Sequence, residues 1–168
     1  TDPTHRDVGL PPNAPMQMAG QFRTYAVARD GSFIVYLARV GEVTQLWYRS
    51  LRGTDTRPIP GTEGAGGTPR LSPDGTRVVF QVAGEMKLAT LAGGAVTTIG
   101  RTQDPHGGEW LADGRLFFAD NDARLLRWID SRAGSDRELA ITYCVNPQLI
   151  RDDRVLSGGG ADNFAFVV

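Results

Sequence analysis

Apolar positions in this chain come in short blocks rather than long stripes, and the blocks recur. Phe33-Ile34-Val35-Tyr36-Leu37, Val78-Val79-Phe80 and Leu116-Phe117-Phe118 are compact runs of the length expected for buried strands, with Arg154-Val155-Leu156 as a weaker fourth copy. About ten residues after each run, two apolar residues stand two positions apart: Leu46 and Tyr48, Met86 and Leu88, Leu126 and Trp128, Phe164 and Phe166. That spacing puts both side chains on one face of a strand. Glycine interrupts the pattern at Gly53, Gly93-Gly94 and Gly134, and a final short run follows in Arg57-Pro58-Ile59, Val96-Thr97-Thr98-Ile99 and Arg137-Glu138-Leu139-Ala140-Ile141.

The blocks are registered by a turn signal. Asp-Gly pairs fall at Asp30-Gly31, Asp74-Gly75 and Asp113-Gly114, with Asp152-Asp153 in the fourth place, at spacings of 44, 39 and 39 residues. Asp-Gly suits a two-residue hairpin in which both central residues take positive φ. Each unit therefore predicts four short strands, A to D, with the Asp-Gly turn between A and B. Residues 121–133 also suit a capped amphipathic helix ending at Gly134, but the repeat places strand C there.

A four-stranded unit of about 40 residues cannot bury both faces alone, so its neighbours must stack on it. The predicted fold class is all-β, a β-propeller of four-stranded antiparallel blades. Blades are expected at about 22–64, 65–103, 104–143 and 144–168, together forming one domain over 16–168. Residues 1–15, with Pro3, Pro11, Pro12 and Pro15, read as an extended leader or linker. Two closures are compatible with this count. Residues 16–19 supply the missing outer strand beside Phe164-Ala165-Phe166-Val167 and clasp a four-bladed ring, or the chain is part of a larger ring and the leader is free.

Composition narrows the function. The 168 residues include 21 glycines and 10 prolines, as many short strands require, and no run approaches the roughly 20 apolar residues of a membrane helix. A net charge of -1 gives no electrostatic case for a nucleic-acid partner. Cys144 is the single cysteine, which excludes an internal disulfide.

Leu71-Ser72-Pro73-Asp74-Gly75-Thr76-Arg77-Val78-Val79-Phe80 resembles the WD40-like repeat of the periplasmic TolB family. Leu46-Trp47-Tyr48-Arg49-Ser50-Leu51, with Arg57-Pro58-Ile59-Pro60-Gly61-Thr62-Glu63-Gly64-Ala65, resembles propeller regions that follow a membrane span in bacterial receptor serine/threonine kinases. The resemblance covers about residues 22–118. It implies a TolB-like propeller outside the cytoplasmic membrane, acting as a sensor or protein-binding module. The same repeat occurs in propellers that gate prolyl oligopeptidases, so an accessory of a hydrolase is the alternative it leaves open.

Candidate chemistry is sparse. Gly64-Ala65-Gly66-Gly67 and Gly158-Gly159-Gly160 lack the Lys-Ser/Thr that completes a phosphate loop. Ser157 lacks a nucleophile elbow, and His5 and His106 are the only imidazole bases. Cys144 and the two histidines are unrelated in spacing and do not make a zinc set, while Asp120, Asn121 and Asp122 fall short of a calcium loop. No catalytic residue, metal or cofactor is expected, and the partner is expected to be a protein. One constellation stands out. Aligning the Asp-Gly turns brings Arg23, Gly67 and His106 into register at the mouth of the central channel, with Thr24, Thr68 and Asn146 beside them. Such a mouth suits a peptide tip or small ligand.

Overall fold

In a computed structural model of the chain, residues 7–18, 23–102, 105–120, 125–131, 136–139, 145–151, 154–159 and 163–167 are described. They form fifteen strands in four antiparallel sheets. Blade one holds β1 (Tyr25–Val27), β2 (Phe33–Val40), β3 (Val43–Ser50) and β4 (Thr56–Pro58), hydrogen-bonded in that order. Blade two repeats the meander with β5 (Gly66–Leu71), β6 (Arg77–Val82), β7 (Glu85–Thr90) and β8 (Thr97–Arg101). Blade three is β9 (Pro105–Trp110), β10 (Arg115–Asp120), β11 (Leu125–Asp130) and β12 (Asp136–Leu139). Blade four contributes β13 (Val145–Arg151), β14 (Arg154–Gly159) and β15 (Asn163–Val167). The segment that also suited a helix carries β11, because Leu126 and Trp128 pair with Ala119 and Phe117 on the second strand of its own blade. Asp152-Asp153, Cys144 and His5 lie outside the described residues.

Packing follows the alternation. On β2, Val35 and Leu37 point toward blade two and join Leu46, Ile59, Val78, Phe80, Ala89 and Leu91 in one buried cluster. Val79 points the other way and meets Met86, Ile99, Trp110, Leu116, Phe118 and Ile129 between blades two and three. Each of blades one to three thus buries both faces of its second strand, as its continuous apolar run demands. The substantial contacts between blades, β1–β5, β2–β5, β5–β9, β8–β11, β9–β13 and β10–β13, all join successive ones.

The A-to-B turns differ from the expected two-residue hairpin. Gly31, Gly75 and Gly114 take positive φ, whereas among the described residues Ala83 is the single non-glycine that does so. The aspartates stay at negative φ because their side chains act instead as local acceptors. Asp30, Asp74 and Asp113 each take the backbone N–H two residues on through Oδ1, at 3.0 Å in all three. Glycine N–H donates back to Ala28, Ser72 and Leu111 carbonyls, closing a four-residue turn with only glycine left-handed. The two-residue hairpin occurs one turn later, at Ala83-Gly84 between paired Val82 and Glu85. Blade three shortens its A-to-B loop by one residue, so Leu111 N–H reaches Arg115 where Ser72 reaches Arg77. Leu116 therefore takes the place of Val78 and Phe118 that of Phe80. An alignment on the Asp-Gly pair alone misses this shift.

The leader sits where neither closure placed it. Met16 bridges to Ala38 of β2, and Gln17 N–H donates to Leu37 C=O at 2.8 Å. Residues 16–17 therefore do not pair with β15. They extend along the β2 edge that short β1 leaves open, since β1 covers only Ile34 to Tyr36. Nor is the leader free: Ala14 is fully buried with Ile34, Tyr36 and Ala38, while Leu10, Met16, Trp47 and Leu51 pack around them. The Tyr36 hydroxyl donates to Ala14 C=O at 3.2 Å, worth about 1 kcal/mol for a buried bond.

Candidate binding surface

The expected mouth residues sit at corresponding ends of neighbouring inner strands. Thr24 immediately precedes β1, Gly67 and Thr68 are second and third in β5, His106 is second in β9, and Asn146 is second in β13. Contacts of β1 with β5, β5 with β9 and β9 with β13 set these strands side by side. Their details favour structural duties where the side chains are described. Thr24 is buried and its carbonyl accepts from Leu37 N–H at 2.8 Å. Thr68 C=O accepts from Arg70 Nη1 at 3.3 Å. Gly67 takes φ +68°, with Gln81 Oε1 3.3 Å from where a Cβ would stand. Arg23 is the exposed member, its guanidinium 5.8 Å from the Tyr25 ring centre. His106 and Asn146 are placed by their strands alone: His106 pairs with Ala119, and Asn146 lies where the β13–β14 register shifts.

Sequence reasoning missed Arg70. It is the penultimate residue of β5, opposite Val79, and is only 8% exposed. Burial lowers its guanidinium to about 10, which still leaves it charged at neutral pH. Blade one has Ala26 in the equivalent place, opposite Val35, so the repeat carried no signal for a cation there.

The polar residues of the Leu71–Phe80 signature are consumed by their own turn. Ser72 Oγ donates to Asp74 Oδ1 at 2.6 Å, and the same oxygen accepts from Thr76 N–H and Oγ1. These three donors hold the Asp74 carboxyl down at about 2, with the Ser72 hydroxyl the largest contributor. Asp120 is equally committed: buried in β10, it pairs with Arg127 Nη1 at 3.0 Å, and that Nη1 also meets Arg101 C=O of blade two. Its carboxylate thus serves an ion pair that ties two blades. Asn121 and Asp122 lie outside the described residues. The tryptophans pack as expected: Trp110 between blades beneath Arg77, and Trp128 against Phe117 at 5.4 Å.

A different surface emerges from the packing. The described residues include six large exposed hydrophobic side chains: Val8, Met18, Tyr25, Val27, Val40 and Val43. All belong to the leader or to blade one. Tyr25 pairs with Tyr36, Val27 with Ile34, and Val40 with Val43, so these four blade residues share the face turned away from blade two. The leader covers the middle of that face and leaves its inner strand and its hairpin tip bare. The sequence signal was present in the alternation of β2, but nothing in it distinguished a face covered by a blade from one covered by a leader.

Neither a family model nor a curated protein matches the chain. Solved structures do. TolB from Acinetobacter baumannii aligns over 86% of this chain and 40% of its own, at 16% identity and a TM-score of 0.65. A putative TolB from Agrobacterium tumefaciens aligns over 86% and 56%, at 15% identity and 0.62. An oligogalacturonate lyase in complex with manganese aligns over 87% and 50%, at 13% and 0.65. The chain spans about half or less of the TolB structures it matches, and identities this low speak for fold alone. Three four-stranded blades, three further strands and these neighbours establish the architecture: the chain has a β-propeller fold similar to that of TolB.

Proposed function

We propose that this chain is a non-catalytic, protein-binding propeller module, serving as a sensor domain or structural subunit of a larger assembly. The observation that carries the reading is the apolar strip on the outer face of blade one, where Tyr25 is 40% and Val27 50% exposed. Monomeric surfaces rarely gather their large apolar side chains on one face unless something docks there. The resemblance of the Leu71–Phe80 signature to the TolB repeat supports an extracytoplasmic setting, and the kinase-like stretches support attachment to a membrane protein. Arg23, Thr24, Thr68, His106 and Asn146 remain the candidate contacts for a ligand entering the central mouth.

The test is a photo-crosslinking side chain at position 27 in the native host, with position 101, at an exposed side chain of blade two, as control. A discrete protein adduct at 27 and none at 101 is expected. No adduct at 27, or equal labelling at both, removes the basis for the reading.

A further inference from the structure

The three Asp-Gly pairs are alike in composition and unequal in structure. We propose that Asp30-Gly31 is a site of spontaneous isoaspartate formation, and that the turns of blades two and three withhold the same chemistry from Asp74-Gly75 and Asp113-Gly114.

The reaction needs only the pair and water. The Gly31 nitrogen attacks Asp30 Cγ and loses its proton, the protonated carboxyl group gives up its hydroxyl as water, and a five-membered imide closes. Water then opens the ring at either carbonyl. Opening at Cγ restores aspartate. Opening at the Asp30 backbone carbonyl leaves the chain running through Cγ, one methylene longer, with a free α-carboxyl group. One water leaves and one returns, so the composition is unchanged. Glycine in second place has no side chain to crowd the closing ring.

What separates the pairs is the carboxyl group and the room around the glycine. Each glycine N–H is held by the carbonyl three residues earlier, at 2.9, 2.8 and 3.0 Å for Gly31, Gly75 and Gly114, so that contact slows all three alike. Asp74 Oδ1 takes three donors: Ser72 Oγ at 2.6 Å, Thr76 N–H at 3.0 Å and Thr76 Oγ1 at 2.8 Å. They hold its carboxyl at about 2 instead of 3.8. The protonated form that can lose water is thereby about 60-fold scarcer at neutral pH. Asp30 Oδ1 takes two donors, Ser32 N–H and Oγ, because Ala28 stands where blade two has Ser72. Ser32 lowers the Asp30 carboxyl as well, but without the third donor. Arg52 reaches Oδ2 at 3.5 Å, and both side chains are mostly exposed.

The glycines rank the same way. Gly31 is exposed, with nothing within 4 Å of its Cβ position, whereas the Phe33 ring stands 3.6 Å from that of Gly75. Gly114 is buried, and its carbonyl accepts from Ser131 N–H at 3.1 Å and Ser131 Oγ at 2.6 Å. Closing the imide turns the glycine peptide, so Gly114 would have to break both bonds to the turn after β11. Asp113 Oδ2 is tied in addition to Arg115 Nε at 2.7 Å.

The test is to hold the purified full chain at neutral pH and physiological temperature for several weeks. Trypsin then places the pairs in separate fragments, 30–39, 71–77 and 102–115. Chromatography against synthetic standards, with enzymatic methylation of the free α-carboxyl, scores isoaspartate in each. Position 30 should convert about tenfold faster than 74 or 113 in the folded chain, and the three rates should converge in urea. Ala28→Ser, which offers blade one the missing donor, should slow position 30, and Ser72→Ala should speed position 74, with circular dichroism confirming that both variants fold. Comparable rates at the three positions of the folded wild type overturn the proposal, as does a lead by 74 or 113. An unmodified position 30 in folded chain, after the urea-treated chain has converted, overturns it equally. So do rates at 30 and 74 that ignore these substitutions in folded variants; if a variant fails to fold, the wild-type ranking decides.

Discussion

Gly108 offers the sharpest test of the blade geometry. It lies in β9 at φ +94°, where the β9–β10 register shifts between Phe117 and Ala119. A Cβ built there would stand 2.1 Å from the Phe117 carbonyl oxygen, 2.8 Å from Phe118 Cα and 2.9 Å from Phe118 Cβ. These are mostly backbone atoms, so no rotamer change relieves the clash, and Gly108→Ala must open the bulge or move β10. The positive φ alone costs an L residue about 1–2 kcal/mol, and overpacking against the buried Phe117 and Phe118 adds about 1–3 kcal/mol. The expected loss is about 3 kcal/mol, or a melting temperature lower by about 6–12 °C for a domain of this size. Gly66→Ala is the matched control, since that glycine, in the inner strand of blade two, has an ordinary φ and nothing within 4 Å of its Cβ position. Thermal and urea melts of both variants decide the matter. Equal stability of the two alanine variants would refute the bulge and the close approach of β10.

Other outcomes follow from the turns and the buried ion pair. Gly75→Val should cost about 1 kcal/mol or more in a urea melt, because a β-branched side chain resists the φ of +69° at this turn. The stability that Asp74 gains from its three donors should be present above its unfolded value of 3.8 and disappear as pH falls through about 2. The melting-temperature gap between wild type and Asp74→Ala should accordingly close over that window, and a gap independent of pH would contradict the assignment. Asp120→Ala removes the carboxylate that pairs with the largely buried Arg127 and should destabilise the contact of blades two and three by about 3 kcal/mol, measured by denaturation. The purified chain should show no esterase, peptidase, phosphatase or nucleotide hydrolysis above buffer, and turnover that vanished on altering Ser157 or His106 would make it an enzyme.

What the sequence conveyed was decided by whether a signal was local. The strands of blades one to three were legible because Val35, Val79 and Phe117 sit in apolar runs that must be buried on both faces, and the Asp-Gly pairs fixed the register between blades one and two. The turn class was not legible: whether aspartate enters positive φ or caps a neighbouring N–H depends on loop length, which composition does not encode. The one-residue shortening before Arg115 was hidden by the intact Asp113-Gly114 pair. Arg70 was invisible because no other blade has a cation in its place. The docking of Ala14 under the Tyr36 hydroxyl depends on a gap left by short β1, a tertiary fact with no trace in the leader itself. The bare strip was likewise unreadable, since Tyr25 and Val27 look like any buried alternation until their neighbour is known.

Substantial strand contacts that, among the described residues, join each blade to the next have a consequence for how damage spreads. Stability in such an array is close to a sum of blade terms and nearest-neighbour interface terms, so the chain behaves as a one-dimensional lattice. A defect at Val79 weakens one junction and is felt two blades away only through the loss of the intervening unit. Blade two, held from both sides by the Val35 and Val79 clusters, should exchange its amide hydrogens last, while blade one, secured on its outer side by a leader rather than a blade, should open earlier. Protease nicking would then map the order of the array, starting at the less supported units and reaching β6 only after its neighbours had come away.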